Sequence, residues 1–147
     1  MMKATIAALL ALLAIASPVL AGDCAPEVAA RQRQIHNILS DVADNGLHGA
    51  HHYSITFLTT AEGVTLPAAL RAKFPHEMTI VLQYQFARLK VADNRFDVVL
   101  WFKGVKTRVG VPFDAITLFI DPAIDFRLEF DIRPPQRCSG SGRSRAA

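Results

Sequence analysis

The chain has 147 residues, 51% hydrophobic and 20% charged, which suffices for one domain with a core and not for two. Its net charge of +3 hides an uneven distribution: residues 22–132 hold 11 basic and 13 acidic side chains, hence −2. The excess lies in residues 133–147, with Arg133, Arg137, Arg143 and Arg145 and no acid, so no nucleic-acid footprint is expected on the domain itself.

In chain order, "MMKATIAALLALLAIASPVLAG" begins with Lys3 and runs apolar from Ala4 to Ala16. It then breaks at Ser17-Pro18 and places Val19 and Ala21 at the −3 and −1 positions of a cleavage site. Residues 1–21 read as a secretory signal, too short and wrongly flanked for a membrane span. The expected location is periplasmic or secreted, with the cytoplasm as the alternative, and no membrane contact is expected after removal. The domain then covers 22–132 and a disordered basic tail covers 133–147, its composition Pro, Gly, Ser and Arg. Cys24 and Cys138, the only cysteines, flank the domain; in an exported protein this even count suggests one disulfide.

Residues 25–45 carry a helical pattern. Ile35, Ile38, Leu39 and Val42 fall at i, i+3, i+4 and i+7, Val28 precedes them on the same face, and Gly46 is a stop signal. So narrow a stripe on so polar a helix must lie against the domain or against a second copy.

After Gly46 the period becomes two. Residues 53–60, 78–86, 96–104, 106–113 and 126–132 are rich in β-branched and aromatic residues and read as strands, with a short helix over 66–75. In 78–86, Met78, Ile80, Leu82, Tyr84 and Phe86 share one face and Thr79, Val81, Gln83 and Gln85 the other. The fold class expected is mostly β with an N-terminal helix.

Chemical signals are sparse. His48, His51 and His52 offer three nitrogens, the number a catalytic zinc takes. However, the adjacent pair His51-His52 points to opposite faces of a strand, and no acid or cysteine lies close in sequence. A loop role is favoured over metal, and a metal-dependent hydrolase is the remote alternative. Asp93, Asp97, Asp114, Asp121, Asp125, Glu129 and Asp131 are scattered over turns and strand edges. No nucleophile elbow and no phosphate loop occurs. An enzyme is not expected, nor a cofactor, nor a metal. A face bearing Gln83, Gln85 and Val81, with Trp101 and Phe102 on the next strand, suits extended peptides, the alternative being plain solvated surface.

Three blocks, "GLHGAHHYSITF" (46–57), "LRAKFPHEMTIVLQYQF" (70–86) and "FDVVLWFKGVKTRVGVPFDAITLFIDPAIDFRLEF" (96–130), resemble the alphaproteobacterial branch of the stringent starvation protein B family. The resemblance covers roughly residues 30–130. It implies a small, open, Sm-like β-barrel, dimeric through its N-terminal helix and therefore through Ile35, Ile38, Leu39 and Val42. It implies an adaptor that binds degradation-tagged proteins as extended peptides and delivers them to the ClpXP protease. The implied groove residues are Phe57, Ile80, Leu82, Gln83, Gln85, Phe86, Phe102 and Gly104, and His51-His52 become structural. Lys103 replaces a glycine of the family pattern, Lys106 a proline, and Ala87-Arg88 a tryptophan and an acid. Delivery in this family uses a flexible tail with an apolar docking segment. Here no Val, Leu or Ile follows Ile132, so extended-peptide binding without delivery to ClpX is expected.

Overall fold

A computed structural model describes residues 25–131. The expected signal sequence over 1–21, the expected pairing of Cys24 with Cys138 and the basic segment 133–147 lie outside the described residues. Helix α1 (Ala25–Asn45) ends where expected: Gly46 has φ +79° and its N–H reaches the Val42 carbonyl at 2.9 Å.

Seven strands follow: β1 (Tyr53–Leu58), β2 (Glu77–Leu82), β3 (Phe86–Val91), β4 (Arg95–Phe102), β5 (Val105–Pro112), β6 (Ile116–Asp121) and β7 (Phe126–Glu129). Helix α2 (Ala68–Lys73) lies between β1 and β2. The strands form two antiparallel sheets, ordered β2-β1-β6-β7 and β3-β4-β5, an open barrel-like arrangement. The mostly β class with an N-terminal helix is thus observed.

Alternation decides what is buried. Met78, Ile80 and Leu82 of β2 and Phe96, Val98 and Leu100 of β4 face inward, joined by Val109 and Val111 of β5. They close on Ile55, Phe57 and Phe119 of the first sheet. Helix α1 lies against β3 and the 3₁₀ turn Phe113–Ala115, adding Ile35 and Leu39 to the same core.

Three expectations are corrected here. The first is the dimer stripe: Ile35 and Leu39 are fully buried and Val42 nearly so within one chain, while Ile38 packs against the core half-buried. The stripe meets its own domain and has almost no surface left for a second copy. The second is the single strand over 78–86. It breaks after Leu82, and Gln83-Tyr84-Gln85 form a corner through which the chain passes from one sheet to the other. Nine extended residues would reach about 30 Å, past the edge of a core this size, so the strand bends to stay on it. Tyr84 consequently leaves the apolar face and is 88% exposed. The third concerns two strands that were not expected, β3 and β6. The half-buried Ala87, Leu89 and Val91 of β3 alternate with exposed Arg88 and Lys90. A bulge at Arg88, φ +52°, interrupts its register with β4.

Candidate functional site

The corner creates the site. Beyond Leu82 the Gln83–Gln85 bend comes beside the end of β4, and between them a hollow of about 370 Å³ opens. The outward residues Thr79 and Val81 of β2 form one wall; Leu100, Trp101 and Phe102 of β4 form the other. Trp101 is 37% exposed and Val81 47%, so both present apolar surface at the rim. No charged side chain lines the hollow. Gln83 and Gln85 offer amide donors and acceptors, and among the described residues neither has a hydrogen-bond partner. A neutral, half-apolar cleft with free amides complements a peptide backbone better than a charged ligand.

Of the groove residues implied by resemblance, Ile80, Gln83, Gln85 and Phe102 come together in this hollow. Phe57 and Leu82 do not: both are fully buried core side chains and cannot touch a ligand. Phe86 starts β3, half-buried against the core, and Gly104 sits in the β4–β5 turn; neither lines the hollow. Thr79, Tyr84 and Leu100 line it and belong to no expected set, while Val81 and Trp101, which line it too, are on the face expected from the sequence to suit extended peptides. Thr79 carries a signal, since it shares the mixed face of the 78–86 run with Val81, Gln83 and Gln85; Tyr84 reaches the hollow only because the run bends.

The histidines diverge. His48 Nε2 meets Asp41 at 3.1 Å, His52 Nδ1 faces the Ala50 carbonyl at 3.2 Å, and His51 Nδ1 bonds Asp121 Oδ2 at 2.6 Å. Asp121 is buried and its other oxygen accepts from Ala123 N–H at 3.0 Å, so His51 ties the start of β1 to the end of β6. Among the described residues no three His, Cys, Asp or Glu side chains converge as a metal site. Tyr53 stacks on Phe119, ring centroids 5.3 Å apart. Burial, then the carboxylates of Asp121 and Asp41, push its phenol above the usual tyrosine range.

A second charged node, away from the hollow, fastens the loop after β1. Arg95 pairs with Asp97 at 3.2 Å and donates to the Gly63 carbonyl at 3.1 Å, while Thr65 and Gly110 exchange backbone hydrogen bonds.

The family model for stringent starvation protein B (SspB) matches residues 29–144, which contain the hollow, both sheets and most of α1. The chain belongs to the SspB family. That is a family of adaptors and not of enzymes. No curated protein matches the chain. Within the SspB fold the Lys103-Gly104 turn has positive φ at both positions, +50° and +79°, as a type I′ hairpin demands. Lys103, directly after Phe102, is therefore held in a conformation that lysine rarely adopts.

Proposed function

We propose that this SspB-family chain is a non-enzymatic adaptor that holds an extended peptide or protein tail in the hollow between the Gln83–Gln85 corner and the end of β4. The observation that carries this is the pair of unpartnered amides beside exposed Val81 and Trp101. A bound backbone satisfies such amides, and the apolar rim takes alternate side chains. The Lys3 to Ala21 pattern supports action outside the cytoplasm. Membership across residues 29–144 favours a second reading, in which the adaptor works in the cytoplasm and delivers tagged substrates to ClpXP. The homodimer that the family implies then uses a surface other than the buried stripe of α1.

The test is titration of short extended peptides against the full chain, Trp101→Ala and Gln85→Ala, with thermal melting as a folding control. Binding that both substitutions weaken without lowering Tm is expected; peptide binding indifferent to both sinks the site. Sequencing the mature N-terminus from cell fractions separates the two locations.

A further inference from the structure

Far from the hollow, the end of α1 joins reactive groups. Asn45-Gly46 is the chain's single Asn-Gly pair. Glycine has no side chain to shield its nitrogen, so the backbone N of Gly46 can reach the Asn45 amide carbon once the backbone turns to allow it. Asn45 closes α1 and is exposed, and Gly46 follows at φ +79°. A Cβ placed on Gly46 would meet no atom within 4 Å, so the pair stands in open space.

Two hydrogen bonds hold the pair unreactive. Gly46 N–H donates to the Val42 carbonyl at 2.9 Å, which occupies the nucleophilic nitrogen. Asn45 Nδ2 donates to Asp41 Oδ1 at 2.7 Å, which holds the amide on the helix. The turn that carries both is weakly fastened. Among its last four residues, 42–45, only Val42 is buried. It has no basic residue, while Asp41 and Asp44 stand at the negative end of the helix dipole. Such a turn opens locally at far less cost than global unfolding. Opening frees Gly46 N from Val42 and lets Asn45 leave the helical conformation.

We propose that Asn45 is a site of spontaneous deamidation, gated by opening of the last turn of α1, whose product cuts the tie between α1 and the loop that enters β1. Gly46 N bonds to Asn45 Cγ as the Cγ–Nδ2 bond breaks. Nδ2 leaves as ammonia with the proton that Gly46 N gives up. Water then opens the cyclic imide at either carbonyl, giving aspartate or its isomer with the chain routed through Cγ. The tie at risk is the Asp41 carboxylate: Oδ1 takes the Asn45 amide and Oδ2 meets His48 Nε2 at 3.1 Å. After conversion a carboxylate faces Asp41 where a donor stood, beside Asp44 and at the same dipole end, so the two repel. Asp41 turns away and His48 loses its partner. Among the described residues the His51–Asp121 bond is then the loop's remaining side-chain hydrogen bond to the rest of the fold. This site is independent of the adaptor reading.

The experiment incubates the full chain in mildly alkaline buffer, folded and in denaturant, and follows each asparagine by peptide mass spectrometry over days. Conversion of Asn45 is expected in the folded chain, and about tenfold or more faster in denaturant, where no opening step is needed. Asn45→Gln, whose longer side chain closes a larger ring slowly, should abolish it. Asn37 and Asn94, followed by Ile38 and Arg95, should stay intact in the folded chain and serve as references. Asn45→Asp copies the product's charge at an exposed position, with thermal melting as the folding control. Amide hydrogen exchange over residues 46–52 should quicken about threefold or more in that variant and not in Asn45→Gln. Conversion confined to the denatured chain, or equally fast in both, overturns the gated site. Unchanged exchange in Asn45→Asp overturns its consequence for the loop.

Discussion

Replacing Leu39 by alanine separates two accounts of the helix stripe. Leu39 is fully buried, against β3 and the Phe113–Ala115 turn, with Ile35 one turn away. Removing its buried methyl and methylene groups from a site held by two sheets should cost about 3 kcal/mol, transfer and cavity terms together. For a domain of this size that lowers Tm by about 12 to 24 °C, a large part of a total stability of about 5–15 kcal/mol. Because the contact is made within one chain, the loss must not depend on protein concentration. A stripe buried between two copies would instead give a loss that shrinks as the protein is concentrated. The assay is thermal unfolding of wild type and Leu39→Ala across a wide concentration range, with sedimentation of both. Val28→Ala, on the same face but exposed near the start of α1, should shift stability by no more than about 0.5 kcal/mol. A Leu39→Ala deficit that varies with concentration, together with a change from dimer to monomer, refutes the intramolecular packing.

Gly110→Ala should destabilise by about 1–3 kcal/mol in chemical denaturation, because an added Cβ meets the Arg95 guanidinium, Asp97 Oδ1 at 2.6 Å and Thr65 Cβ at 3.1 Å. His51→Ala should cost about 1–3 kcal/mol by leaving an oxygen of buried Asp121 without its partner, and a shift in denaturant midpoint measures it. Tyr53→Phe should protect against alkali. The folded phenol binds its proton more tightly than the unfolded one, so its contribution is intact below the ordinary tyrosine value and is lost as pH rises through the raised one. Wild type should therefore lose stability in that alkaline window faster than Tyr53→Phe, and parallel curves would contradict the assignment.

Local chemistry fixed much of this fold in advance. The 3.6-residue spacing of Ile35, Leu39 and Val42 and the stop at Gly46 define α1 in any context, because periodicity and φ > 0 at glycine are properties of the chain alone. Family membership was legible as well, in blocks whose residues serve turns and core together. Three matters were left to tertiary structure. Sequence could not say what the α1 stripe faces, since a helix face packs on any apolar partner within reach. Sequence could not place the bend at Gln83–Gln85: the alternation from Met78 to Phe86 continues unbroken, and only the closure of two sheets on one core turns the chain there. That bend decides the site. It sends Leu82 into the core and Tyr84 into solvent, and it leaves Gln83 and Gln85 facing Trp101 across a hollow that no local pattern encodes.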